Sequence, residues 1–207
     1  MQNARVVKKA KIDGSLDIIK NFLSTINNKN KKRHVVNIKL ILTAIDYIRH
    51  YHNGQTRHSG EPYFYHLIEV AKITADYLFD TESIVAALLH DVVEDTESSI
   101  EQIEFIFGKR VARIVDAVSK ITTDYQLSKQ EVFHKLTNFV DIEKTVITIK
   151  VIDRLHNMRT IHHIKSVEKQ KRIASETLHF YIPLAKSVNL QEIARELNII
   201  VIKVLNQ

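Results

Sequence analysis

The chain has 207 residues and a formal charge of +6, with no cysteine, two prolines and four glycines. That length suits one domain with a substantial core, and the scarcity of breakers favours helices. Lack of cysteine excludes disulfides and thiolate chemistry and fits a reducing cytoplasm; no apolar run reaches the ~18 residues that would cross a bilayer, and the N-terminus lacks a signal-peptide core.

Residues 1–36 hold nine Lys and Arg against Asp13 and Asp17, a net +7 that leaves −1 for the remainder. They read as a basic N-terminal extension, either solvated and partly mobile or one helix packed through Ile18, Ile19, Phe22, Leu23 and Ile26. A contact with an anionic partner, such as nucleic acid or the ribosome, is the functional alternative. Residues 37–207 form the domain proper. Ile38, Ile41, Leu42, Ile45 and Ile48 predict an amphipathic helix ending near Asn53-Gly54, and residues 55–62 a polar loop. A second helix is expected from Tyr65 to Leu78, and a third from Thr81 to about Val93, capped by Thr81 or Ser83. Ser98 or Ser99 caps a short helix ending at Phe107-Gly108, and another covers Lys109 to Ile121. Residues 122–130 read as loop and 131–140 as helix. Between Ile142 and Ile161, propensity alone permits a strand over Val146 to Val151, but continuation through Asp153, Asn157 and Thr160 favours helix. A helix from Val167 to Tyr181 stops before Pro183, and Glu192 to Leu205 forms the last. The fold class is all-α, a helical bundle.

Chemistry concentrates in His90-Asp91-Val92-Val93-Glu94-Asp95-Thr96, after the apolar run Ile84 to Leu89. At helical spacing Glu94 follows His90 by one turn and Asp95 follows Asp91, gathering one imidazole and three carboxylates on one side of a helix. Carboxylates so close repel unless a cation lies among them, which points to a divalent metal beside an acid/base group. Further ligands can come from Arg57-His58-Ser59-Gly60-Glu61-Pro62-Tyr63-Phe64-Tyr65-His66 and from Asp153-Arg154-Leu155-His156-Asn157-Met158-Arg159-Thr160.

These three strings, in this order, resemble the hydrolase part of the RelA/SpoT-type alarmone enzymes, which belong to the HD superfamily of metal-dependent phosphohydrolases. The resemblance runs from about Ile38 to about Leu190. It implies an HD-domain bundle with a metal site between helices, His66, His90, Asp91 and Asp153 as metal ligands, and manganese as the usual metal. It implies Glu94 and Asp95 as the acidic pair handling the attacking water, and Arg57, His58, Ser59, Asn157 and Thr160 as residues lining the nucleotide pocket. The implied reaction removes the 3′-pyrophosphate of guanosine tetra- or pentaphosphate, giving GDP or GTP. His58 stands where the family commonly has lysine, and Leu67 where proline usually follows the first ligand. The mixed nitrogen and oxygen set by itself suits manganese, iron or zinc alike.

Taken singly, His66 reads as a packed or surface histidine, Asp153 as an ion-pair partner of Arg154 or Arg159, and Arg57 as a solvated loop charge. His156, His162 and His163 are assigned structural or surface roles, and Tyr63 a packing role. Acids at the end of a helix, as Glu94 and Asp95 would be, oppose its dipole. We expect hydrolysis without pyrophosphate transfer from ATP. The rivals are an HD phosphohydrolase acting on another nucleotide and a catalytically silent nucleotide-binding regulator.

Overall fold

The computed structural model describes residues 2–33, 35–120 and 142–207, so the loop and helix expected within 122–140 lie outside the described residues. In chain order the helices are α1 (Gln2–Arg33), α2 (Ile38–Tyr51), α3 (Tyr63–Tyr77), α4 (Thr81–Leu89), α5 (Val92–Asp95), α6 (Ile100–Phe107), α7 (Lys109–Lys120), α8 (Glu143–Arg159), α9 (Val167–Glu176), α10 (Ile182–Ser187) and α11 (Gln191–Leu205). A 3-10 turn over Ile161–His163 follows α8. The described residues contain no strand, only an isolated β-bridge from Thr56 to Pro62, and no helix among them is long and apolar enough to cross a membrane.

Helix α4 organises the bundle. Every position but Glu82 is buried, and a helix apolar all round must lie in the interior. It packs against α2, α3 and α7, while α8 packs against α3, α7 and α11. The C-terminal end of α4 therefore delivers His90 into the middle of the protein. Its cap is Asp80, whose carboxylate accepts from Ser83 N–H at 2.9 Å. Thr81, one of the two expected caps, instead accepts the Asn37 N–H at 2.9 Å, tying the α2 entry to α4.

The expected third helix is broken. Asp91 turns out of α4 with φ −101° and ψ −6°, and the short α5 follows. Helix α6 begins at Ser99 with a reciprocal bond to Gln102, a capping box. Helix α8 keeps its helical form through Val146 to Val151 because both sides of that stretch are buried, so tertiary packing outweighs β-propensity.

The expected stop before Pro183 does not occur. A π turn over Thr177–Tyr181 joins α9 to α10, with the Ile182 N–H reaching the Thr177 carbonyl. Pro183 then falls in the first turn of α10, where its missing N–H has no partner to lose. At the other end of the chain, α1 inserts Phe22 and Ile26, both fully buried, against α3. Its Lys29 donates to the Ala75 carbonyl at 3.1 Å and pairs with Asp76, and Asn30 grips Val36 through both backbone groups at 3.0 Å.

Candidate metal centre

Three helices converge on one cluster. α3 brings His66, the end of α4 brings His90 and Asp91, and α8 brings Asp153. The two imidazoles are 1% and 0% exposed. Ligand atoms of His66, His90 and Asp91 all lie within 4.8 Å of one another, a possible metal site. Asp153 Oδ1 stands 3.1 Å from His66 Nε2 and 3.6 Å from His90 Nε2; Asp91 Oδ2 stands 3.7 and 3.2 Å from the same atoms.

These contacts are short, yet among the described residues neither buried Nε2 has a hydrogen-bond partner of acceptable geometry. Nitrogens and carboxylate oxygens so close but not aligned as donor and acceptor are disposed like ligands around an ion. His90 Nδ1 lies 2.9 Å from the Ala87 carbonyl, which can only accept, so the proton sits on Nδ1 and the Nε2 lone pair is free when the ring is neutral. Two neutral imidazoles and two carboxylates carry −2, matching a divalent cation. The residues fit such an ion.

Without the ion the electrostatics are those of a trapped proton. Burial alone would lower the His90 pKa, but Asp91 and Asp153 together outweigh it and push it up to about 10. Burial likewise opposes ionisation of Asp91, and His90 overcomes it, holding the carboxyl down at about 2. Asp153 is held well below the usual carboxylate range by His66 and His90 against the same burial. Burial lowers the His66 pKa despite Asp153.

The acidic pair divides. Asp95 is one helical turn from Asp91, its N–H bonded to the Asp91 carbonyl at 2.9 Å. The hydroxyl of Tyr63 lies 2.7 Å from Asp91 Oδ2 and 2.9 Å from Asp95 Oδ2, and Gln55 Nε2 donates to the Asp95 carbonyl at 3.0 Å. Like Asp95, Glu94 is exposed. Its pKa is raised, first by burial of part of its surroundings and then by Asp91 and Asp95, with Lys150 opposing.

The expected pocket residues also converge. Arg57, His58, Ser59, Asn157 and Thr160 line one cavity of about 260 Å³. The loop that carries the first three is closed by Arg57 N–H to Glu61 O at 2.9 Å and Gly60 N–H to Arg57 O at 2.8 Å, with Gly60 at φ +82° where a side chain would be strained. Asn157 links cavity and cluster: its Nδ2 donates to Asp153 Oδ1 at 2.8 Å, and its Oδ1 accepts from Arg57.

Several residues assigned no site role from sequence belong to this region, His163 among them. Arg154 and Lys169 add cations to the cavity wall, and among the described residues no carboxylate lines it. Arg154 is held by Glu176 at 2.9 Å and over the Tyr181 ring at 4.1 Å, beside the π turn. Tyr63 touches both Asp91 and Asp95. His156 lies with Nδ1 2.8 Å from His66 Nδ1. Its pKa is lowered to about 3 by burial and by its neighbours His66 and Arg57.

The HD domain family model matches residues 44–190. The chain belongs to the HD domain family. Within it, the chain is 43% identical over 164 residues to the bifunctional (p)ppGpp synthase/hydrolase SpoT of Escherichia coli (strain K12), a match that covers 77% of this chain and 23% of SpoT. It is 42% identical over 167 residues to a GTP pyrophosphokinase of Myxococcus xanthus, covering 77% and 22% respectively. The chain thus spans less than a quarter of the length of these curated relatives. Among solved structures it resembles a metazoan SpoT ortholog described as hydrolysing ppGpp, with TM-score 0.63 and 26% identity over 79% of this chain and 94% of the other. The HD match includes the segments that carry His66, His90, Asp91 and Asp153.

Proposed function

We propose that this chain hydrolyses guanosine 3′,5′-bis(diphosphate) and its 5′-triphosphate analogue to GDP or GTP and pyrophosphate, using a divalent metal, with manganese the first choice. The observation that carries the reading is the junction, through Asn157, of the cationic cavity with the His/Asp cluster. A nucleoside bearing diphosphates on both sides suits cations at one end and a metal at the other. The substrate class follows the activities of SpoT and of the metazoan ortholog.

Held by His66, His90, Asp91 and Asp153, a divalent ion would lower the pKa of water and polarise phosphoryl oxygens. Arg57, Arg154 and Lys169 bind phosphate charge, and Asn157 sets the direction of the Arg57 guanidinium. Ile161, Ile164 and Ile173 offer the nucleoside an apolar wall. Ser59 and Thr160 present hydroxyl oxygens, and His58 stands at the rim. Glu94, whose raised pKa makes its carboxylate a stronger base, takes the proton of the attacking water. Asp95, fixed by Tyr63, orients that water. The water oxygen bonds the phosphorus nearest ribose, the bond from that phosphorus to O3′ breaks, and a proton goes to O3′. The products are pyrophosphate and a free 3′-hydroxyl.

The test compares turnover of ppGpp, GDP, dGTP and a dinucleoside polyphosphate with manganese. Clear preference for ppGpp supports the reading. Equal or faster turnover of another nucleotide overturns it in favour of a different phosphohydrolase. No turnover of any by the metal-loaded protein overturns it in favour of a silent nucleotide-binding regulator.

A further inference from the structure

We infer that His156 is a positioning residue: its Nδ1 accepts the hydrogen bond that holds His66 in the tautomer able to bind a metal through Nε2. The inference rests on the metal-centre reading of the His66 cluster and not on which nucleotide is cleaved.

The two Nδ1 atoms lie 2.8 Å apart, with ring centroids at 4.7 Å and planes tilted by 52°. Two ring nitrogens at that distance share one proton, so one donates and the other accepts. If His156 donated, the neutral His66 ring would carry its proton on Nε2, facing the cluster, and its lone pair would be lost to a metal. That N–H would find an acceptor in Asp153 Oδ1 at 3.1 Å, yet His66 Nε2 makes no hydrogen bond of acceptable geometry. The reverse arrangement, with Nδ1–H of His66 donating to His156, leaves the Nε2 lone pair directed at the cluster.

His90 reaches the same state by a different acceptor, the Ala87 carbonyl at 2.9 Å. Both histidines thus present Nε2, one fixed by backbone and the other by a side chain. Asp153 and His156 are three residues apart on α8 and share a face. One helix therefore supplies a carboxylate ligand and the acceptor that orients a second ligand. A neutral acceptor adds no charge, so the negative charge of the centre remains that of Asp91 and Asp153. Partners of this kind typically matter by about 10–100-fold in metal affinity.

The test uses the full chain with His156→Leu and His156→Asn. Leucine fills space without accepting; asparagine can place Oδ1 near the position of Nδ1 and accept. The readouts are the 15N shifts of the His66 ring and the melting temperature, both in the metal-free protein, and manganese affinity by EPR titration. H156L should weaken manganese binding by about 10–100-fold and let His66 populate both tautomers, while H156N restores the Nδ1–H form and near wild-type affinity. Wild-type affinity and an unchanged His66 tautomer in H156L would overturn the inference while leaving the metal reading intact. Equal loss of affinity in both variants, following a lowered melting temperature, would also overturn it, since that is the mark of a packing role. Failure of the wild type to bind manganese would remove both readings together.

Discussion

Replacing Asn157 by alanine cuts the connection between cavity and cluster at one atom group. Asn157 makes two bonds to charged partners, donating to Asp153 Oδ1 at 2.8 Å and accepting from the Arg57 guanidinium. Hydrogen bonds to charged groups contribute roughly 1.5–3 kcal/mol each. Both are part-buried, so water replaces some of the loss, and we take about 2–3 kcal/mol for the pair. If that energy is expressed in the transition state, kcat/KM for ppGpp falls about 30- to 140-fold, at about 1.4 kcal/mol per factor of ten. Alanine is a good helix former, so α8 and the metal-free melting temperature should change little. Asn157→Asp separates the two bonds: it keeps an acceptor for Arg57 but sets a second carboxylate against Asp153. That variant should lose more turnover than alanine. Steady-state assays at saturating manganese measure both. Turnover of N157A within roughly threefold of wild type would refute the coupling of pocket and centre through this residue.

Glu94→Gln should lower turnover by about 10²–10⁴-fold while manganese stays bound, the range for a lost acid–base group; metal analysis alongside kinetics separates the two. The His90 pKa in the metal-free protein is raised from 6.5 to about 10, so its contribution to stability is complete below about pH 6.5 and is lost as pH rises through about 10. That of Asp91, lowered from 3.8 to about 2, is present above about pH 4 and lost as pH falls through about 2. Thermal melts of metal-free protein should therefore be insensitive to this pair between about pH 4 and 6.5 and show its loss towards pH 10. Because the metal needs the His90 lone pair, manganese binding at pH 7 should release about one proton, detectable by calorimetry in buffers of different ionisation enthalpy, with affinity rising about tenfold per pH unit. At the N-terminus, Phe22→Ala should cost about 3–5 kcal/mol because the ring is fully buried. Deleting residues 1–33 should therefore destabilise the protein in chemical denaturation, whereas deleting 1–15 should leave the Phe22 and Ile26 contacts and turnover in place. If the basic segment makes an anionic contact, the shorter deletion should weaken that contact alone, as added salt would.

Taken singly, His66 reads as a packed or surface histidine and Asp153 as an ion-pair partner; the family resemblance carried by the three strings together makes the candidate ligands legible in sequence. The break after His90 is not legible, since His90 to Asp95 has the spacing of one continuous helix. Choosing Asp80 over Thr81 as the cap of α4 depends on the Asn37 N–H arriving from α2. His156 and Tyr63 escape for the same reason. Their partners are 90 and 28 residues away, and single residues within strong motifs carry no periodicity that marks such pairs. Lys169 escapes because α9 meets the cavity only after the 3-10 turn redirects the chain. The π turn before Pro183 leaves no signal beyond the proline, whose usual reading is a stop. In α8 the strand alternative over Val146 to Val151 fails because burial on several sides suits a helix there, which local propensity does not record.

The proposed function is release of pyrophosphate from the 3′ position at a divalent-metal centre. The measurement that meets it most directly is product analysis of ppGpp incubated with the manganese-loaded chain, by 31P NMR, before and after chelation and after manganese is restored. We expect equimolar GDP and pyrophosphate, no reaction once the metal is stripped, and recovery when it returns. Orthophosphate as the first product, turnover that survives chelation, or no turnover by a metal-loaded protein would contradict it.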